Sequence, residues 1–455
     1  MTARQLIHIY ARTDAFFEHS SQLGWFLSVT RFRHALLLPE DNVSRPISAL
    51  VNTVYLIGAT NMHQITGKYP PIDENVYLQR ALGAIGHALE DAPSQKVVQV
   101  IQARVLLALY HYSMDTPQHA SNFVDIIALM LPPPQDQVEE GERINALWTV
   151  FTICRCWGIA FGAPILISDN DAFGTQIDTP WPLDMETYER GPVLPNFRTS
   201  RTLRNFLAGM NTSWPWENHS LLAQISNASA LFDHATHLSS YRRLGTMSHA
   251  LFDYIHVLTS HEYYHADIPD MDAFYTNFMA VDSRIDQFRS QLYALPNLVD
   301  ADSGVVRTMH VIHCLANTAS IQLHSAFAQH NVASRNKCFM AAQAIVQANF
   351  SVRAHEFLII DPVLGIVWGA ACQVFIRELV FMRSIPANAT LLPPDHETEV
   401  WLALNQLQTT MAIFAPVCAF IGACLLPPTR SQILTSSSYS AGSQLDKVQQ
   451  ELMGL

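Results

Sequence analysis

The densest chemistry in the 455-residue chain is the string His261-Glu262-Tyr263-Tyr264-His265. On a helix, histidines four residues apart share a face and can bind one Zn²⁺, with the intervening glutamate as general base of a metallopeptidase. Such a centre also needs a third protein ligand and an open water position. The next glutamate is Glu356, the extended spacing meets Ile268 and Met271 where it needs Gly and His, and Pro269 ends the helix. Two helix-end histidines, placed where the dipole favours positive charge, are the simpler reading. Cys154 and Cys156 stand two apart on a helical pattern. Residues at that spacing point to different faces, so buried thiols are expected rather than a chelate. Neither a dinucleotide or phosphate loop nor a nucleophile elbow occurs. His234, His237 and His313 lie scattered on helical pattern and read as structural. The expectation is a protein that is not an enzyme, with no catalytic residues, no bound metal and no cofactor in this chain.

Composition bounds the elements that hold these residues. Hydrophobic residues make up 49% and charged residues 15%, which excludes a wholly disordered chain. The net charge of −12 offers no cationic surface for nucleic acid. Ten acidic and two basic residues fall between Asp136 and Glu189, an acidic patch. The seven cysteines are odd in number and sparse, so free thiols in a reducing compartment are expected. The first residues contain no apolar signal run, so the asparagine sequons at Asn211, Asn218 and Asn227 read as chance. The apolar stretches Gly365–Ile376 and Met411–Leu426 fall short of the ~20 residues of a membrane span, and no membrane association is expected.

The hydrophobic period is helical throughout. One helix is expected from Ser44, with Ile47, Leu50, Val51, Val54 and Gly58 on one face. Others follow behind Asp73, from Ser94 and around Phe123–Met130. A fifth is expected after an acidic linker, QDQVEEGER, with Ile144, Leu147, Trp148 and Phe151 in line. Residues 165–200 read as an irregular, Pro- and Asp-rich region. Beyond it, helices are expected near 221–242, 244–265, 274–295, 309–323, 337–355, 361–383 and 397–425. Phe274, Phe278, Val281, Ile285, Phe288, Leu292 and Leu295 follow a 4-3 spacing. That is the seam of a coiled coil or the inner face of a bundle helix, and sparse flanking charge pairs favour the bundle. The fold class is all-α, a large multi-helix bundle of packed antiparallel helices. Residues 1–200 form its N-terminal part, 201–430 a C-terminal part packed on it, and 431–455 a Ser-rich tail that is partly disordered.

One stretch carries a family likeness. EEGERINALWTVFTICRCWGIAFGAP at 139–164, followed by IDTPWP at 177–182, resembles the middle homology region of fungal zinc-cluster transcription factors, with a basidiomycete style. Glu142 and Arg143 match the family's acidic-Arg start; Trp148, Phe151, Arg155, Gly162 and Pro164 match its body; Pro180 and Trp181 match its closing Pro-rich turn. The segments 6–39, 337–346 and 361–378 look like the family's opening and C-terminal helices. The family's Asp-Arg pair is Cys154-Arg155 here, so Arg155 needs another partner, such as a carbonyl or Glu142. Arg143 and Arg155 are expected to latch the fifth helix to the 165–190 region.

The resemblance implies a regulatory domain controlling RNA polymerase II transcription in the nucleus. Relatives contact DNA through an N-terminal binuclear zinc cluster of six cysteines. No cysteine precedes Cys154, so that cluster is absent from this chain and zinc is implied only for relatives. The partners implied are a second copy or a related factor, and a small apolar effector held between helices. The alternative is a stand-alone helical module that dampens related factors through the 274–295 seam.

Overall fold

The computed structural model describes residues 3–66, 72–86, 96–113, 133–161, 177, 179–191, 202–210, 220–245, 271–298, 301–350, 360–384 and 395–425. Among them every regular element is helical. The α-helices in chain order are α1 (Ala3–Phe17), α2 (Val29–Leu36), α3 (Ser48–Thr66), α4 (Ile72–Ile85), α5 (Val97–Ser113), α6 (Gln137–Phe161), α7 (Met185–Arg190) and α8 (Thr202–Leu207). They continue as α9 (Leu221–Gly245), α10 (Met271–Gln291), α11 (Ser303–Ser325), α12 (Val332–Phe350), α13 (Val363–Ser384), α14 (His396–Phe414) and α15 (Ala419–Ala423). The expected helices around Phe123–Met130 and 244–265, the His261–His265 string, Gly162, Pro164 and the 431–455 tail lie outside the described residues.

Among the places where the elements differ from the sequence expectation, three stand out. The acidic stretch after Asp136 is not a linker but the first two turns of α6. Glu139 and Glu140 sit in its first turn, where the unpaired amides favour negative charge, and the Asp136 carboxylate accepts from Glu139 N at 2.9 Å. Within the region expected to be irregular, six residues form α7. The single helix expected over 397–425 breaks at Ala415–Cys418, because Pro416 has no N–H to continue the ladder.

In the first half, α1 crosses α3 and α3 packs on α4 and α5. The α1–α3 crossing is close because Gly58 lacks a Cβ: one placed there would lie 2.2 Å from the Arg12 carbonyl oxygen. Asn61 Nδ2 then donates to Ala15 O at 3.1 Å, and Arg12 Nη1 donates to the Tyr77 hydroxyl at 2.7 Å, tying α1 to α3 and α4. Tyr112 of α5 stacks on Trp157 of α6, with centroids 3.8 Å apart and planes at 4°.

The second half is organised by α11, which packs on α9, α10, α12 and α13. Asp302 caps it, accepting from Gly304 N at 2.7 Å. The buried alanines of α9 (Ala223, Ala228, Ala230, Ala235) and of α11 (Ala316, Ala319) keep bulk low in two helices that pack on each other extensively. Phe274, Phe278, Val281, Ile285 and Phe288 are buried, and α10 lies on α9 and α11. The 4-3 seam is therefore the inner face of a bundle helix.

Helix α13 extends past its apolar stretch to 22 residues, with a mean hydropathy of 1.6 in its best window. Length and composition alone would suit a membrane span, but α11, α12, α14 and α15 surround it, and Trp368 and Phe375 are buried. One continuous buried cluster runs from Phe16 of α1 to Ile421 of α15, shared by both sides of residue 200. All seven cysteines are free, and six are buried. Replacing Gly58 with Ala should cost at least about 1–3 kcal/mol, because neither backbone can move alone. The loss should appear as a lowered denaturation midpoint with faster amide exchange in α1; an unchanged midpoint would contradict the close crossing.

Candidate functional site

The residues that carry the family likeness lie along α6. Trp148, Phe151 and Arg155 fall on one face at spacings of three and four. Trp148 is fully enclosed. Its Nε1–H donates to Pro180 O at 2.7 Å, and its ring stacks on Trp181 with centroids 4.3 Å apart. Phe151 meets Trp148 edge-on at 5.3 Å. Trp181 in turn meets Phe206 of α8 at 5.8 Å, and Phe206 meets Phe288 of α10 at 6.2 Å. The Arg284 guanidinium lies over the Phe206 ring, 4.3 Å from its centroid. An aromatic file thus runs from α6 through residues 180–181 and α8 to α10.

The Pro-rich segment is tied down through backbone groups of Pro182 and Leu183 as well as Pro180. Ser220 Oγ donates to Pro182 O at 2.6 Å and accepts from Ala223 N at 3.1 Å, so one hydroxyl holds the segment and caps α9. Asn145 Nδ2 donates to Leu183 O at 3.3 Å, and Leu183 N donates to the Tyr188 hydroxyl at 3.3 Å. Tyr188 lies against Gly141, where a Cβ would come within 2.4 Å of its ring. Gly141 is therefore what lets α7 dock on α6.

Glu142 does not pair with Arg155. Its Oε1 accepts from Ser28 N at 2.8 Å, and Ser28 caps α2, accepting from Arg31 N at 3.1 Å. Ser28 Oγ also donates to Glu189 Oε1 of α7 at 2.5 Å. Burial pushes the Glu142 carboxyl above its ordinary value, with the Ser28 amide and Arg31 pulling the other way. Arg143 pairs with Glu139 one turn earlier in α6.

Among the described residues Arg155 reaches α9: Arg155 Nη1 lies 2.5 Å from Asp233 Oδ2, and His237 Nε2 lies 3.1 Å from Asp233 Oδ1. Arg155 and Asp233 are each only 9% exposed. Arg155 also lies 5.0 Å over the Phe151 ring. Burial pushes the Asp233 carboxyl up, but the His237 hydrogen bond and the Arg155 charge outweigh it and hold it below its ordinary 3.8.

Two further junctions of this kind, absent from the sequence reading, join the C-terminal helices. Asp282 of α10 takes Lys337 Nζ on both oxygens, at 2.5 and 2.6 Å, and His324 Nε2 at 3.0 Å. Glu378 of α13 takes Arg335 Nε at 3.2 Å and His396 Nε2 at 3.2 Å. A carboxylate in an apolar stripe was the available signal, but helical period does not tell which distant cation meets it.

Ser334, His324 and Asp282 are the residue types of an acyl-transfer triad, and Ser334 Oγ lies 3.1 Å from His324 Nδ1. Lys337 holds both Asp282 oxygens, and the Ser334 residue is only 6% exposed, so a substrate carbonyl has no approach. The set is a helix junction. Cys156, beside Ser229 Oγ at 3.5 Å, is a buried thiol pushed up to about 12. Among the described residues no group of three or more His, Cys, Asp or Glu could hold a metal.

No protein-family model matches the chain, and no curated protein or solved structure matches it.

Replacing Asp233 with Asn strands a buried guanidinium and should cost about 3–5 kcal/mol. The joint change Arg155→Met with Asp233→Leu should recover most of that loss. Because the folded pKa of Asp233 is depressed, its contribution is complete above 3.8 and is lost as pH falls through the lower folded value. Urea titrations of the three variants at neutral and acid pH check this; equal stability of Asp233→Asn and wild type at neutral pH contradicts it.

Proposed function

We propose that this helical chain is the regulatory middle-homology domain of a fungal zinc-cluster transcription factor, acting in RNA polymerase II transcription in the nucleus. In this reading it is not an enzyme, and DNA is contacted by a zinc cluster outside the chain. The observation that supports it is convergence. Glu142, Trp148, Phe151, Arg155, Pro180 and Trp181 carry the sequence likeness, and all of them belong to the joint that α6 makes with α2, residues 179–184 and α9. A joint of this kind sets the positions of neighbouring helices, which suits a domain that restrains attached segments. The alternative, a module pairing with related factors through the 274–295 seam, is less favoured, because that seam is enclosed by α9 and α11.

Inserting residues 1–455 between a heterologous DNA-binding domain and an activation domain should lower reporter output several-fold. Trp181→Ala should restore much of the output by loosening the joint. The same level of reporter with and without the insert, at equal protein abundance, would overturn the regulatory reading. The net charge of −12 also predicts that the chain alone shows no salt-sensitive DNA binding, which filter retention at two salt concentrations checks.

A further inference from the structure

At the start of α6 two carboxylates converge on one serine. Ser28 is 1% exposed and stands where α2, α6 and α7 meet. Its backbone N–H donates to Glu142 Oε1 of α6 at 2.8 Å. Its hydroxyl donates to Glu189 Oε1 of α7 at 2.5 Å and accepts from Arg31 N of α2 at 3.1 Å. One residue thus caps α2 and ties it to two other helices, so whatever loosens Ser28 frees α2 and α7 together.

The cations nearby are engaged with other carboxylates. Arg31 Nη1 lies 3.0 Å from Asp136 Oδ1, and Arg143 pairs with Glu139. Half-buried Glu142 has the Ser28 amide and no ion pair among the described residues. The charges that act on it are Arg31 of α2 and, on its own helix end, Glu139 and Asp136. Beside Ser28, α5 presents neutral Gln102, which accepts from Phe26 N at 2.8 Å and donates to Gly24 O at 3.1 Å. The charges that α9 and α13 bring to α6, Asp233, His234, His237 and Asp361, act near Arg155 and Cys156. Those residues lie more than three turns further along the helix, about 20 Å away.

A carboxylate so placed favours its proton. Burial is the main cause that lifts the Glu142 carboxyl above its ordinary 4.5; the Ser28 amide and Arg31 oppose it, while Glu139 and Asp136 add to it. The proton has a place. Oε1 carries the Ser28 amide bond, so the proton sits on Oε2 and Oε1 continues to accept as a carbonyl oxygen. When α2 and α7 lift away, water reaches Glu142 and its ordinary proton affinity returns. The closed arrangement therefore holds the proton more tightly than the open one. Its added stability is complete below 4.5 and is lost as pH rises through the higher closed value.

We propose that Glu142, Ser28 and Glu189 form a proton-operated catch: a proton on Glu142 closes α2 and α7 on α6, and its loss loosens them. The catch follows from the contacts of the joint and does not need the transcriptional reading. Helix protection tests the first and reporter output the second, and either can fail alone.

Amide hydrogen exchange on the full chain tests it, read by mass spectrometry in peptides covering α2 and α7 and corrected for the intrinsic pH dependence of exchange. Protection should fall as pH rises from 4.5. The slope should be at most about tenfold per pH unit, the limit for one proton. Glu142→Gln keeps a neutral acceptor of the same shape, so its protection should stay high and change little with pH. Arg31→Gln removes a cation that opposes the proton, so the fall should move to higher pH. Glu186→Gln, on the exposed side of α7 beside Arg190, should leave the profile where it is. Wild-type protection that is flat with pH, or a fall that persists unchanged in Glu142→Gln, would overturn the proposal. Should Glu142→Gln not fold, a profile that Arg31→Gln leaves unmoved or shifts to lower pH would overturn it equally.

Discussion

The architecture depends on burying charge at helix junctions without leaving it unpaired. Asp233, Asp282 and Glu378 each sit where helices meet, and each is held by one permanent cation and one histidine. Taking a carboxylate out of water is costly, and a lone partner rarely offsets it fully. Two donors from different directions satisfy both oxygens and also fix geometry. An apolar contact between two helices tolerates sliding and rotation; a carboxylate with two oriented partners does not. The three junctions are therefore best understood as registration points in a core whose favourable free energy comes from apolar burial.

The Arg155–Asp233 junction is the one that joins the halves. It crosses from α6 to α9, and α9 lies against α11, the helix around which the C-terminal half is organised. Ser220 ties the beginning of the same α9 to the Pro-rich segment, and Asn145 ties that segment back to α6. Residues 180–183 are thus tied to the helices on both sides of them, α6 and α9. Removing a single member would leave the others geometrically intact but electrostatically unbalanced, the condition in which a buried network is worse than an apolar core.

Much of this was legible in the sequence, and the missing parts have physical reasons. Trp148 and Phe151 announced a buried face because period and side-chain volume both depend on local spacing. Gly58 appeared on an apolar face, but only the structure shows that the Arg12 carbonyl fills the place of its side chain. The start of α6 was misread because a run of acids resembles a solvated linker, whereas at a helix N-terminus the same charges complement the dipole. Asp233 was not among the partners expected for Arg155, because Glu142 is the nearest carboxylate along the chain, while Asp233 is near only in space. Pairing across 78 residues is a property of packing, not of periodicity.

The aromatic file and one of the charge junctions meet on one helix. Phe288 of α10 ends the file that begins at Trp148. Within two turns on the same helix, Asp286 and Asp282 take Lys337 of α12. The aromatic contact alone would let α10 turn or slide, because ring edges pack acceptably over a range of positions. The ammonium between two carboxylates one turn apart removes that freedom, since a shift of the helix would pull one of them away. Packing and charge therefore act on α10 as complementary constraints, the first supplying burial and the second register.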